Sequence, residues 1–145
     1  MKNLESFGLP HRKPFLFVDE VMAATKGEAQ CLKIFSSDDP MFRGHFPHDP
    51  IVPGVILTEA LAQTAGIAGA WGSHDLRFLL SAIRNMKFPR LARPEERVIL
   101  NARKTGEIGG LWMFEVRADV DGRTVATGQI VLNETSKSEH GRTGF

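Results

Sequence analysis

The most constraining feature of this chain is a run of twenty residues, Ile51 to Ala70, that carries a single charge, Glu59. Twenty apolar residues in helical conformation match the thickness of a bilayer. However, Pro53, Gly54, Thr58, Glu59, Gln63 and Thr64 make this a poor lipid-facing segment. An ionisable group near the bilayer centre costs about 2.5–3.5 kcal/mol or more. The expectation is a helix buried in a water-soluble fold, with no membrane span. Val55 to about Trp71 is its helical part, rich in Ala and Leu, with apolar residues nearly all the way round. Such a helix must be covered on most sides. Pro53 suits its start and Gly72 its stop.

The flanking sequence supplies the cover. Phe15 to Thr25 and Glu28 to Phe35 read as strands joined by a Lys26-Gly27 hairpin turn, and Ser36 to Pro50 reads as loop. After the helix, Arg77 to Phe88, Arg97 to Lys104, Leu111 to Val120 and Thr124 to Leu132 read as strands, with turns at Gly109-Gly110 and Asp121-Gly122. The fold class expected is α+β, an antiparallel β-sheet wrapped around one long central α-helix. With 145 residues, 42% of them hydrophobic, the chain fits one domain, residues 1–132, and a polar tail, 133–145, expected to fray.

Composition narrows the function. One cysteine, Cys31, excludes an internal disulfide framework and most thiolate metal sites, and it suits a reducing, cytoplasmic compartment. Met1 to Phe17 lacks the continuous apolar core of a signal peptide. A net charge of +1 provides no global field for nucleic acid. Tyrosine is absent, so chemistry that needs a phenol is excluded.

Three elements bear on catalysis. Glu59 has Gln63 four positions later, on the same helical face and within hydrogen-bonding reach. Two readings stand equal: a solvent-facing stripe with Thr58 and Gln63, or a carboxyl in an apolar setting whose raised pKa lets it act as an acid. His45 lies in a loop, Phe42-Arg43-Gly44-His45-Phe46-Pro47, whose backbone Gly44 and Pro47 restrain. His45 and His48, with Asp49, also suggest a metal site, but that spacing suits neither a helix face nor a strand face, and no metal is expected. At the helix start, Pro53 and Gly54 either simply open the helix or offer unpaired N–H groups to an oxyanion. A base, an acid and an oxyanion donor together describe proton abstraction beside a carbonyl with loss of a leaving group.

These residues also carry a resemblance. Gly44-His45-Phe46-Pro47, Pro50, Pro53-Gly54-Val55 and Glu59-Ala60-Leu61-Ala62-Gln63 resemble the signature of the FabZ-type 3-hydroxyacyl-acyl-carrier-protein dehydratases. Leu9-Pro10-His11-Arg12, Pro14-Phe15-Leu16 and Val18-Asp19 are similar to that family's amino-terminal block, and the similarity runs to about Leu132. The resemblance implies a hot-dog fold and a homodimer or trimer of dimers. It implies that His45 removes the C2 proton of a (3R)-3-hydroxyacyl thioester, and that Glu59 of the other subunit assists departure of the C3 hydroxyl as water. The Gly54 N–H would hold the thioester carbonyl, with Gln63, Gly44 and Pro53 as supporting residues of the site. No cofactor is implied. The substrate would arrive on the phosphopantetheine arm of an acidic acyl carrier protein, in fatty acid or a related lipid or polyene biosynthesis.

The pattern departs after Phe88, which the resemblance places at the tunnel gate. Where the family shows Pro-Gly-Asp, this chain has Pro94-Glu95-Glu96. Between Arg84 and Lys104, seven basic residues (Arg84, Lys87, Arg90, Arg93, Arg97, Arg103, Lys104) face only Glu95 and Glu96 in 21 positions. With the resemblance, Arg84, Lys87, Arg90, Arg93 and Arg97 become candidates for docking the carrier protein. Two competing functions share the fold: an acyl thioesterase, which needs a carboxylate and a water rather than a His and Glu pair, and a catalytically silent carrier-binding module.

Overall fold

The computed structural model describes residues 9, 11, 13–44, 46–73 and 76–136. Its elements follow in the order β1 (Glu20–Thr25), β2 (Glu28–Ile34), α1 (Met41–Gly44), α2 (Gly54–Ala70), β3 (Leu76–Lys87), β4 (Arg97–Ile108), β5 (Leu111–Val120) and β6 (Arg123–Ser136). The strands form one six-stranded sheet in the order β1-β2-β4-β5-β6-β3, antiparallel at every pairing. The expected plan, two strands, a helix and four strands with the sheet around the helix, is the one observed.

Burial explains the wrapping. On α2, Leu57, Leu61 and Ile67 are buried together with most of the helix's alanines, and burying each large aliphatic side chain contributes about 1.5–3 kcal/mol. Strand alternation provides the matching surface. Val98, Leu100 and Ala102 of β4 and Phe114, Val116 and Ala118 of β5 are buried in the same core, whereas Asn101, Arg103, Glu115 and Arg117 lie between them on the opposite face. The Asp121-Gly122 turn has both residues at positive φ, 50° and 76°, as a two-residue turn between twisted strands requires.

Four boundaries differ from expectation. Phe15 to Asp19 is not strand, because the backbone of Phe15 and Phe17 bonds to the side chain of Gln63 on α2 instead of to a neighbouring strand. The loop before α2 contains the short helix α1, started by Asp39, whose carboxylate accepts from Met41 N at 3.0 Å, and fastened by buried Phe42. β4 continues past Lys104 through a bulge to Ile108, where it pairs with Leu111. β6 continues past the boundary expected at Leu132, its Ser136 paired with Leu76. The rest of the expected tail, residues 137–145, lies outside the described residues.

Candidate active site

Glu59 sits in the second turn of α2, and its setting decides between the two sequence readings. Gln63 is only 1% exposed and Thr58 6%, so there is no polar stripe facing solvent. The Thr58 hydroxyl instead donates back to the Gly54 carbonyl at 2.8 Å. Gln63 uses both ends of its amide. Oε1 accepts from Phe17 N at 2.9 Å, which turns Nε2 toward the Phe15 carbonyl and toward Glu59 Oε2, each at 3.0 Å. Gln63 thus ties the carboxyl of Glu59 to the amino-terminal segment.

The Glu59 side chain keeps 20% of its surface. Burial pushes its pKa above the ordinary carboxylate value, and the Gln63 hydrogen bond opposes that only in part. A carboxyl so placed holds its proton to higher pH than a surface glutamate does. It is suited to donating that proton.

At the head of α2, the Pro53 carbonyl accepts from Ile56 N at 3.0 Å and Leu57 N at 3.1 Å. The amides of Gly54 and Val55 therefore precede the helix's own ladder and carry the positive end of its dipole. Phe88, the first residue after β3, packs on this spot. A Cβ at Gly54 would stand 3.0 Å from the ring's Cζ. The structure thus joins Pro53, Gly54 and Phe88 at one end of α2. Gly44 closes α1 on the chain leading there. His45 lies outside the described residues.

The basic stretch is dispersed rather than gathered into one patch. Arg93 is ion-paired with Asp49, Arg103 with Glu115 at 2.5 Å, and Lys104 with Glu107 at 2.6 Å. Lys87 lines a groove of about 800 Å³ with Gln30, Asn101, Arg103 and Arg117, on the face of the sheet turned away from α2. Arg84, Arg90 and Arg97 are exposed, and Arg90 stands two residues from Phe88.

The departure at Pro94-Glu95-Glu96 also has a local explanation. Glu95 takes a φ of 69°, in the left-handed region that favours glycine, where the resembling family carries one. Its backbone N–H donates to the Phe35 carbonyl at 2.8 Å, and its carboxylate accepts from Ser37 N at 2.7 Å. These bonds offset the roughly 1–2 kcal/mol that a non-glycine residue pays there.

One residue was missed as a site candidate. His11 Nε2 lies 3.6 Å from Glu59 Oε2. No local periodicity links positions 11 and 59; only the amino-terminal block of the resemblance drew attention to that segment.

A family model described as a FabA-like domain matches residues 9–129. The chain is 37% identical over 135 residues to the 3-hydroxyacyl-[acyl-carrier-protein] dehydratase FabZ of Nitrosospira multiformis, covering 89% of this chain and 92% of that one. It is 40% identical over 129 residues to the FabZ of Thermotoga petrophila, covering 89% and 93%. Among solved structures, the dehydratase heterocomplex ApeI:P from Xenorhabdus doucetiae superposes with a TM-score of 0.80 at 17% identity, over 99% of this chain and 97% of that one. A hypothetical thioesterase from Streptococcus pneumoniae superposes at 0.70 and 11% identity, over 92% and 98%, which shows the shared fold alone. With the model spanning most of its length, and with relatives of this identity, the chain belongs to the FabA-like family.

Proposed function

We propose that this protein dehydrates (3R)-3-hydroxyacyl-[acyl-carrier-protein] to trans-2-enoyl-[acyl-carrier-protein], in fatty acid or related lipid biosynthesis. The observation that carries this reading is the carboxyl of Glu59, held by Gln63 on a buried helix with its pKa raised by burial. In this reaction the base, His45, takes the C2 proton while the thioester carbonyl gains negative charge against the Gly54 N–H. The C3–O bond breaks, and Glu59 gives its proton to the departing hydroxyl, which leaves as water. The electron pair of the C2–H bond becomes the new C2=C3 bond. His45 and Glu59 then exchange a proton through solvent and the site is reset. No metal or organic cofactor enters the scheme.

The site is shared between two copies, His45 from one protomer and Glu59 from its partner, as a homodimer or a trimer of dimers. β3 supports this assembly. It is an edge of the sheet and exposes Leu80 (44%) and Ile83 (49%), an apolar edge of the kind that pairs with another strand. Carrier docking is drawn from Arg84, Lys87, Arg90, Arg93 and Arg97, with the exposed Arg90 beside Phe88 at its centre, and the enzyme works in the cytoplasm.

The test is direct. His45→Ala and Glu59→Gln each fold and assemble but lose at least about a hundredfold in the interconversion of 3-hydroxyacyl- and enoyl-carrier protein. Mixing the two inactive variants restores part of the activity, because a hybrid dimer assembles one intact site. Full activity in either folded variant overturns the role given to that residue. A monomeric wild-type chain, or no recovery after verified subunit exchange, overturns the shared site. Carrier binding without turnover by the wild-type protein leaves a silent binding module in place of the enzyme.

A further inference from the structure

His11 is brought to Glu59 across a long stretch of sequence, and what holds it there is specific. Leu9 on one side is buried in the core and Phe17 on the other is buried beside it. Between them, the His11 ring stacks on Phe15 at a centroid separation of 6.0 Å, and Phe15 meets Phe17 edge-on at 5.1 Å. Gln63 binds the backbone of Phe15 and Phe17, so the aromatic stack and the carboxyl share one anchor. His11 Nε2 and Gln63 Nε2 approach the same oxygen of Glu59, Oε2, at 3.6 Å and 3.0 Å.

We propose that His11 is a positioning residue for Glu59: with Gln63 it fixes Oε2, turns Oε1 toward the substrate, and as an imidazolium stabilises the carboxylate left after proton donation. The inference rests on the reading of Glu59 as the acid. The separation of 3.6 Å is long for a hydrogen bond but within reach of a charge–charge attraction. That attraction is small while Glu59 is neutral and grows once its proton has gone to the leaving hydroxyl. Such a contact favours the later part of the reaction over the resting state, which is what accelerates a chemical step. Of the two side chains that approach Glu59 Oε2, Gln63 and His11, His11 is the titratable one.

The experiment uses the full-length protein with ¹³C-labelled glutamate. The Glu59 carboxyl is followed by NMR across pH in wild type, His11→Gln and His11→Ala, with Glu59→Gln to assign the signal, and kcat and KM are measured on the same samples. His11→Gln keeps a side chain of similar size, so it remains informative if His11→Ala fails to fold. The expected result is an upward shift of the Glu59 midpoint in His11→Gln. A kcat lower by about tenfold should accompany it, short of the hundredfold that a misplaced group can cost, with KM little changed. An unmoved Glu59 midpoint overturns the proposal whatever happens to the rate, and so does a midpoint shift with unchanged kcat. If Glu59→Gln itself retains full activity, the acid reading of Glu59 fails instead. The midpoint shift in His11→Gln then still reports the contact, so the two failures are told apart.

Discussion

The ring of Phe88 occupies the space that a side chain at Gly54 would need: a Cβ built there meets Cζ at 3.0 Å, Cε1 at 3.1 Å and Cε2 at 3.2 Å. A side chain at the head of α2 would therefore make the ring give by a few tenths of an ångström, next to the N–H proposed to hold the thioester carbonyl. Gly54→Ala should push the ring aside and cover the amide, lowering activity by about a hundredfold or more, the scale for losing one oxyanion donor. Pairing it with Phe88→Ala removes the clash. The double variant should regain thermal stability over Gly54→Ala without regaining full activity, since the Cβ still crowds the amide. Thermal denaturation and steady-state kinetics on the four proteins check this, and an active Gly54→Ala contradicts it.

The raised pKa of Glu59 makes stability depend on pH in a stated direction. In the unfolded chain the carboxyl ionises near the ordinary value of 4.5, while the folded protein holds its proton to higher pH because of burial. Between those points the folded state binds more protons than the unfolded state, so stability falls as pH rises. Glu59→Gln removes that dependence. The difference in Tm between Glu59→Gln and wild type should rise in favour of the variant as pH climbs from 4.5, then level off above the folded pKa. A flat difference across that window contradicts the burial-driven shift.

Gly128 on β6 permits a close approach to β3. A Cβ there would stand 2.3 Å from Met86 Sδ, and also 2.9 Å from Met86 Cα and 3.1 Å from the Arg84 carbonyl. The sulfur can swing away but the backbone cannot, because this is the bulged part of β3 where Asn85 takes a φ of 53°. Gly128→Ala should therefore destabilise the fold by about 1–3 kcal/mol, the usual cost of overpacking. Because β3 is the seam proposed between protomers, assembly should weaken with it. Denaturant unfolding and sedimentation read the two effects.

Arg90 and Arg93 lie close in sequence but differ in what surrounds them. Arg93 is engaged by Asp49, so reversing it places two carboxylates together and disturbs the loop before α2. Arg90 is exposed, and its Cα lies within about 7.6 Å of that of Phe88, two trans peptide steps along the chain. Arg90→Glu should lower kcat/KM with carrier-bound substrate, most at low salt, because such charges are screened beyond about 8 Å at physiological ionic strength. Turnover of a small pantetheine thioester should hardly change. Equal losses on both substrates would place Arg90 in the tunnel wall instead of on a docking surface.

What could be read from the sequence follows from how local each signal is. The Ile51–Ala70 run demands a covered helix, and α2 spans Gly54–Ala70. The turn pairs Gly109-Gly110 and Asp121-Gly122 delimit strands closely, because positive φ at a turn is a property of a few adjacent residues. Glu59 and Gln63 are one helical turn apart, so their hydrogen bond was also visible in the spacing. Phe15 and Phe17 depart from the strand pattern for the opposite reason: their backbone hydrogen bonds go to Gln63, 48 and 46 positions away.

The sequence by itself thus determined the buried helix, the antiparallel strands that must cover it, and the lone carboxyl among apolar neighbours. Each of these depends on hydrophobic periodicity and turn chemistry within a few residues. Only the tertiary structure decided that Glu59 is shielded rather than solvated, that His11 stands beside it, and that Phe88 closes on Gly54. It also showed that a row of basic residues is divided between ion pairs, a groove on the outer face of the sheet, and exposed positions without a shared patch. Those outcomes depend on which distant segments meet when the sheet curls around α2, and on the water their meeting excludes. Neighbours along the chain carry no record of that contact.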